Sequence, residues 1–300
     1  MVPQQELDHW EAFVRVQLRE DAVRLIPAGN PDGEAWVWRV ERPGEAQPRA
    51  FLKRHRVPDN WRRERLVLER LAEPPAAPVP ALLAAQPEGL VLLLQAVPGQ
   101  LASVRPGSPA QQRSIHEQAG RVRRRLDAVP VDDDDPLPLP AAMDRRLRAA
   151  LARAEPTLPA WQRHAVEAAF DPDCFEGAPR RWCHRDLAPH NFVVELTPSG
   201  PRLWVIDFGR ARPDLWLVDV LELWDGPWAR DPTLAEAFWR GYGRRPSPAE
   251  RQQLQQLALL HGLATAAWGD RHGHPAVSSH GRAVLDRALR RAGHDEEPAP

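Results

Sequence analysis

The feature that most constrains this chain is a pair of polar motifs at the two ends of a predicted β-hairpin. Asp186 and Asn191 lie five positions apart in the first motif, and Asp207 opens the second. Between the motifs, residues 192–194 and 203–206 are apolar, and a segment containing Pro, Ser and Gly separates the two runs. Two apolar runs on either side of such a turn predict antiparallel strands. We therefore expect a hairpin that brings Asn191 and Asp207 side by side.

The side chains at these three positions carry the oxygen atoms that phosphoryl transfer requires. The reaction needs one carboxylate to orient the attacking hydroxyl and accept its proton, and two oxygen ligands to hold Mg²⁺ against a triphosphate. The pattern predicts Asp186 for the first role and Asn191 and Asp207 for the second. The alternative is that they are ordinary loop carboxylates and a turn-forming Asn. Two motifs in the right order and at a plausible spacing favour the chemical interpretation.

The complete pattern resembles that of the eukaryotic-like kinase superfamily. His184 precedes Asp186 by two positions, Asn191 follows, and Asp207 is continued by Phe208 and Gly209. Within the superfamily, the chain is most similar to the branch of aminoglycoside phosphotransferases and choline kinases. The resemblance implies ATP or GTP as the phosphate donor and Mg²⁺ as its metal.

The resemblance also implies a fold class, which is α+β and bilobal, like that of protein kinases. We expect residues 1–97 to form an N-lobe, with a small antiparallel sheet and one main helix that bind the nucleotide. Residues 98–300 would form a mostly helical C-lobe, which contains the catalytic loop, the metal site and the helices that bind the acceptor.

A predicted strand over residues 49–55 places Lys53 directly after an apolar pair. In the kinase fold this is where an amine grips the α- and β-phosphates. Its expected partner is Glu64, in a predicted helix over residues 61–71. Glu69 is the rival, but it lies about 140° around the helix from Glu64, and the resemblance favours Glu64. The alternative is that Lys53 is one surface cation among many basic neighbours.

Two further segments have a predicted role in nucleotide binding. The resemblance implies that backbone groups of Gln95 and Val97, at the hinge between the lobes, hydrogen-bond adenine. A plain exit from a strand would have the same sequence signature. The turn over residues 29–33 could lie above the phosphates, although Asn-Pro-Asp-Gly is also an ordinary hairpin turn.

Composition excludes several classes of partner. The 300 residues have 43% hydrophobic content and a formal net charge of −1, so neither nucleic acid nor an anionic membrane is expected as the main partner. Two cysteines are too few for a disulfide framework. Residues 1–11 lack the apolar core of a secretion signal, and the longest aliphatic run, residues 90–94, is too short to span a membrane. These features predict a cytoplasmic protein.

Departures from protein kinases indicate the class of acceptor. Residues 208–232 contain no Ser, Thr or Tyr that an activating phosphate could modify, and Ala188 stands where protein kinases usually carry Lys. Both features favour a small-molecule hydroxyl acceptor, such as an antibiotic, a sugar or an amino alcohol. A peptide Ser/Thr kinase of natural-product maturation and a non-catalytic nucleotide-binding protein are the alternatives. The sequence leaves the oligomeric state open, and Arg185 departs from the Gly or Asn often found there in this branch.

Three other segments carry lesser predictions. Asp219 matches a buried Asp that braces the catalytic loop in the family, with a helix cap as the alternative. The acidic run over residues 132–135 is expected to be a solvated loop. Residues 293–300 are expected to be a loose tail.

Overall fold

The computed structural model describes residues 4–29, 33–45, 47–74, 76–105, 107–131 and 137–292. The predictions for turn residues 30–32, for the acidic run and for the tail lie outside these residues. Within them, the strands β1 to β10 are Arg24–Pro27, Ala35–Glu41, Ala50–His55, Leu82–Gln86, Val91–Gln95, Gln100–Leu101, Arg180–Cys183, Phe192–Thr197, Gly200–Val205 and Arg212–Leu215. The helices α1 to α10 are Gln4–Leu18, Pro58–Ala72, Pro109–Asp127, Leu139–Ala154, Ala160–Ala169, Leu221–Asp225, Pro227–Arg230, Pro232–Tyr242, Pro248–Arg271 and Pro275–Ala292.

Contacts between Cα atoms divide the chain into two compact units. The first unit combines Met1–Val129 with His184–Arg212, and the second combines Pro130–Cys183 with Pro213–Pro300. The segment with the two polar motifs therefore belongs to the same unit as the N-terminal sheet. The lobe boundary expected at residue 97 stays a prediction.

The first unit is built on a five-stranded antiparallel sheet in the order β1-β2-β3-β5-β4. A separate three-stranded sheet in the order β6-β8-β9 contains the predicted hairpin. Helix α1 covers one face of the larger sheet, where Trp10 and Val14 join a buried apolar cluster. This order makes β3 the central strand of the sheet. Helix α1 packs on one face of β3 and helix α2 on the other.

The alternation of side chains along β3 explains how one strand serves a core and a polar site. Ala50 and Leu52 are buried in the apolar cluster on the α1 side. Because successive side chains of a strand point to opposite faces, Lys53 and His55 lie on the other face, against Glu64 of α2. The strand thus delivers two polar side chains to the same helix.

The helices begin where sequence signals for a helix N-terminus occur. Helix α2 begins at Pro58, and α3 begins after Ser108, whose side chain forms a capping box with Gln111. Helix α9 begins after Ser247, which forms a second capping box with Glu250. Pro in the first turn is favourable because its missing N–H would have no partner there.

The second unit contains α4 to α10 and the strand pair of β7 with β10; β10 begins at Arg212, the last residue of the first unit. Helices α9 and α10 approach closely through glycines. A Cβ added to Gly281 would lie 2.3 Å from the backbone N of Ala266, so only glycine permits this packing. Among the described residues, no helix combines the length and the hydropathy that crossing a membrane would require.

Candidate active site

All of the residues predicted for the site lie in the first unit. They are Lys53, Glu64, Gln95, Val97, Asp186, Asn191 and Asp207. The predicted site therefore lies within one compact part of the molecule.

The predicted hairpin is confirmed. Strand β8 begins directly after Asn191, strand β9 ends two residues before Asp207, and Phe192 pairs with Val205. The pairing continues one step further, since the backbone N–H of Ile206 donates to the carbonyl of Asn191 at 3.0 Å. The backbone of Asn191 is therefore bonded to the residue immediately before Asp207.

His184 ties the two motifs together. Its side chain is fully buried, and its Nε2 donates to the carbonyl of Ile206 at 2.9 Å. Its ring also packs on Phe208, with 4.5 Å between the ring centroids. The histidine that opens the first motif thus holds the segment that carries Asp207.

The amide of Asn191 closes the loop that follows Asp186. Its Nδ2 donates to the backbone carbonyl of Asp186 at 2.8 Å. This bond fixes which way the amide points, and the amide oxygen is the atom that Asn191 can offer to a cation. Arg185, immediately before the loop, has a left-handed backbone with φ of 65°, so the chain turns sharply into Asp186.

Both carboxylate oxygens of Asp186 face cationic or polar groups. His190 Nε2 lies 2.9 Å from Oδ1, and Arg210 Nη1 lies 3.9 Å from Oδ2. Burial alone would raise the pKa of Asp186, but the hydrogen bond and charge of His190 and the charge of Arg210 outweigh it and lower the pKa. The carboxylate is therefore ionised at neutral pH and able to accept a hydrogen bond from a hydroxyl.

Lys53 connects Glu64 to Asp207. Its Nζ lies 3.0 Å from Glu64 Oε1 and 2.8 Å from Oε2, and 2.6 Å from Asp207 Oδ1. Burial would lower the pKa of Lys53, but the negative charges of Glu64 and Asp207 outweigh it and raise the pKa above its ordinary value. The amine is thus held as a cation between two carboxylates.

The pKa values of the two carboxylates, Asp207 and Glu64, are shifted in the opposite direction to that of Lys53. The charge of Lys53 is the main reason that the pKa of Asp207 lies well below its usual range. Burial would raise the pKa of Glu64, but Lys53 and His55 outweigh it and lower the pKa. Both groups are therefore anions at neutral pH.

The backbone at Asp207 has a left-handed conformation, with φ of 65° and ψ of 68°. This region is unfavourable for a residue with a side chain and marks local strain. Gly209 packs directly under the charged cluster, because a Cβ there would lie 3.2 Å from Lys53 Nζ and 3.4 Å from Glu64 Oε2. The third residue of the second motif therefore leaves room for the amine.

The donor set of Asn191 and Asp207 fits Mg²⁺. An ionised carboxylate and an amide oxygen are hard oxygen ligands, which this ion prefers. Lys53 occupies one oxygen of Asp207 in the structure. The second carboxylate oxygen and the amide oxygen of Asn191 are the groups expected to bind the ion.

The predicted adenine-binding segment begins at Gln95, the last residue of β5. The N–H of Gln95 donates to the carbonyl of Ala81 at 2.8 Å, and the N–H of Ala96 lies 3.4 Å from the carbonyl of Arg49. The donor at Gln95 is therefore engaged within the sheet, and its carbonyl is the group expected to bind a base. The roles of Gln95 and Val97 stay predictions.

Asp219 lies in the second unit, in a short 3-10 helix, and its side chain is 1% exposed. It is buried as expected. Its bracing role in the catalytic loop stays a prediction.

Three side chains that the sequence analysis did not select belong to this site. His55 contacts Glu64, and His190 and Arg210 contact Asp186. Sequence signals for them exist. His55 shares a strand face with Lys53, His190 directly precedes Asn191, and Arg210 directly follows Asp-Phe-Gly.

The sequence matches the model of a known protein family over most of its length. The model of the phosphotransferase enzyme family, whose short name is APH, matches residues 6–290. The chain belongs to the phosphotransferase enzyme family. No curated protein sequence matches this phosphotransferase significantly.

Solved structures share the fold of this phosphotransferase at low sequence identity. Aminoglycoside 2'-phosphotransferase-IIIa in its GDP complex has a TM-score of 0.70 and 14% identity, with 95% of this chain and 99% of that chain covered. A thermostable mutant of aminoglycoside phosphotransferase APH(4)-Ia with ADP and hygromycin B has a TM-score of 0.66 and 16% identity, with coverages of 94% and 98%. A choline/ethanolamine kinase family protein from Mesorhizobium loti has a TM-score of 0.63 and 20% identity, with coverages of 95% and 98%.

These comparisons confirm the resemblance to aminoglycoside phosphotransferases and choline kinases. They also confirm the fold class, an α+β protein-kinase-like fold with a five-stranded antiparallel sheet and a mostly helical remainder. At these identities the likeness concerns the fold of the phosphotransferase.

Proposed function

We propose that this protein transfers the γ-phosphate of ATP or GTP to a hydroxyl of a small molecule. The observation that carries the proposal is the bridge from Glu64 through Lys53 to Asp207. It joins a buried amine, paired with its expected partner Glu64, to Asp207, the carboxylate expected to bind Mg²⁺. Ordinary surface cations and loop carboxylates would have no reason to converge in this way.

The residues have distinct roles in this proposal. Lys53 orients the α- and β-phosphates, and Glu64 holds its amine. Asp207 and Asn191 hold Mg²⁺, which supplies positive charge that offsets the triphosphate. The carbonyl of Gln95 and a backbone group of Val97 contact the base.

Asp186 acts on the acceptor. Its ionised carboxylate accepts the hydrogen bond of the attacking hydroxyl and takes its proton as the new oxygen–phosphorus bond forms. The bond between the γ-phosphorus and the bridging oxygen breaks, and the nucleoside diphosphate leaves. Because transfer depends mainly on positioning and charge, a lowered pKa of Asp186 is compatible with this role.

A small-molecule acceptor is favoured by the segment after the second motif. It lacks the phosphorylatable side chains of a regulated protein kinase over residues 208–232. Neighbours in the same fold are described as complexes with kanamycin or hygromycin B, or as a choline/ethanolamine kinase family member. An antibiotic, a sugar or an amino alcohol is therefore the class we propose, with no nucleic acid or membrane as partner. A reducing, nucleotide-rich compartment, the cytoplasm, suits a chain in which neither Cys174 nor Cys183 forms a disulfide.

The test is an acceptor screen with a matched inactive variant. Purified protein is incubated with Mg²⁺ and ATP or GTP and with an aminoglycoside, a macrolide, a sugar, an amino alcohol or a Ser/Thr peptide, and the added phosphate is detected by mass spectrometry. We expect a phosphorylated small molecule with the native chain and none with Asp186→Asn. Product on the peptide alone would indicate the peptide kinase. Nucleotide binding without any product would indicate the non-catalytic protein and overturn the proposal.

A further inference from the structure

A histidine is buried behind the Lys53–Glu64 pair. His55 is 2% exposed, and its Nε2 lies 2.9 Å from Oε2 of Glu64, which is 0% exposed. The same oxygen lies 2.8 Å from Lys53 Nζ. One carboxylate oxygen is therefore shared by an amine and an imidazole.

The position of His55 in the sheet makes this contact specific. His55 and Lys53 are separated by one residue on β3, so their side chains leave the strand on the same face. Both meet the same helix at the same side chain, Glu64. A buried imidazole in a protein interior is costly when its nitrogens lack partners, and within the described chain the Nδ1 of His55 has none.

The chemistry of Glu64 determines which atom donates. Its pKa is lowered, although burial alone would raise it, because Lys53 and His55 favour the charged form. An ionised carboxylate only accepts hydrogen bonds, so His55 must present an Nε2–H to it. The two atoms lie 2.9 Å apart without forming an aligned hydrogen bond, so the attraction between the Nε2–H and the charge of Glu64 depends on proximity more than on alignment.

We propose that His55 is a positioning residue that fixes the Glu64 carboxylate so that Glu64 can orient Lys53 toward the nucleotide. This inference rests on the proposed function. In the structure, Lys53 has two anionic partners, Glu64 and Asp207. With Asp207 holding Mg²⁺ and the amine contacting the phosphates, Glu64 would be the one carboxylate of this pair that still holds Lys53.

The direction of the Lys53 amine would then depend on the rotation of the Glu64 carboxylate. Glu64 is anchored to its helix by a flexible side chain, and Lys53 is the group that has to be oriented. His55, on a central strand, is the rigid third member that restrains the shared oxygen. Loss of this restraint should weaken nucleotide binding before it affects the fold.

Two nearly isosteric substitutions of His55 separate the effect of its hydrogen-bond donor from the effect of its side-chain packing. The amide nitrogen of Gln can take the place of Nε2, whereas Met has a similar volume and shape but no N–H. We expect His55→Gln to bind Mg²⁺·ATP within about 2-fold of the native chain, and His55→Met to bind about 5- to 10-fold more weakly. The affinities are measured by titration calorimetry, with the melting temperature recorded for each variant.

A double-mutant cycle tests whether the effect passes through Glu64. In a Glu64→Met background, His55→Gln and His55→Met should bind the nucleotide equally, since position 64 then carries no acceptor for the donor at position 55. A purely structural histidine would lower the melting temperature of His55→Met and leave the affinities of the Gln and Met variants equal, which would overturn the inference. If His55→Met does not fold, His55→Asn replaces it, because its amide is polar but too short to reach Glu64.

The two proposals fail differently. A native chain that binds no nucleotide would refute the proposed function itself. A native chain that binds nucleotide while the Gln and Met variants match it would leave the function standing and refute the role of His55.

Discussion

Lys53 Nζ lies 2.6 Å from Asp207 Oδ1, although 154 positions separate the two residues in the chain. With Glu64 also within 3.0 Å of the amine, one cation is shared by two anions. These three groups together therefore carry a net negative charge, which favours binding of a further cation. Under the proposed function, phosphate oxygens would replace Asp207 beside the amine and Asp207 would hold Mg²⁺, so nucleotide and metal would each favour binding of the other.

Replacing Asp207 by Ala should abolish phosphate transfer and leave the fold intact. The carboxylate is the expected metal ligand, and loss of such a charge costs on the order of 10³-fold in turnover. Lys53 retains Glu64 as its partner in the variant, so the melting temperature should change little. Asp59→Ala, which removes an exposed carboxylate paired with Arg62 in the same unit, is the control. Unchanged ATP consumption by Asp207→Ala would refute the assignment.

Replacing Lys53 by Met should destabilise the protein as well as abolish nucleotide binding. Lys53 and Glu64 are both buried, and removing one member of a buried ion pair leaves the other charge poorly compensated. We expect the free energy of unfolding in urea to fall by roughly 3 kcal/mol. The double variant Lys53→Met/Glu64→Gln should recover part of this loss, because the buried charge is removed as well. A single variant as stable as the native chain would contradict the geometry.

Replacing His190 by Leu should shift the acidic limb of the pH–rate profile to higher pH. In the native chain, burial would raise the pKa of Asp186, and His190 and Arg210 lower it. Without His190, the pKa-raising effect of burial is opposed mainly by Arg210. The pKa of Asp186 therefore rises, and the carboxylate becomes protonated at a higher pH. The kcat/KM for the accepted substrate, measured from pH 4 to 8, reports this shift. His190 is half-exposed, so the fold should tolerate Leu, and an unmoved or lowered acidic limb would argue against the contact.

Replacing Glu250 by Gln should reduce stability at neutral pH and have little effect in acid. Burial would raise the pKa of Glu250, but hydrogen bonds from Arg244, the Ser247 backbone and Trp216 lower it to about 2. Because the folded-state pKa is below the unfolded value, the native carboxylate stabilises the fold above about pH 4.5 and loses this contribution as the pH falls toward 2.

We expect a difference of about 1 kcal/mol at pH 7, since solvent screens this partly open cluster. Chemical unfolding of both chains at several pH values measures it. The difference should shrink steadily below pH 4.5. A difference that is constant across this range would mean that the charge of Glu250 contributes nothing.

Much of the fold and of the site could be predicted from local sequence patterns. The hairpin of β8 and β9 was predictable because two apolar runs flank a turn, and its ends carry Asn191 and Asp207. Helical phase separated Glu64 from Glu69, the family resemblance favoured Glu64, and the structure pairs Glu64 with Lys53. The contacts of His55, His190 and Arg210 were not predicted, because each is a common residue whose partner is chosen by packing.

What the sequence by itself determined is the set of elements and the identity of the oxygen- and nitrogen-bearing residues at their ends, because periodicity and turn chemistry act over a few neighbouring residues. Only the tertiary structure decided that Lys53, besides its expected partner Glu64, also contacts Asp207, and that His55 lies behind Glu64. These contacts depend on how β3 packs against α2 and how a distant hairpin meets both. The charges then stabilise one another because burial removes the water that would otherwise separate them.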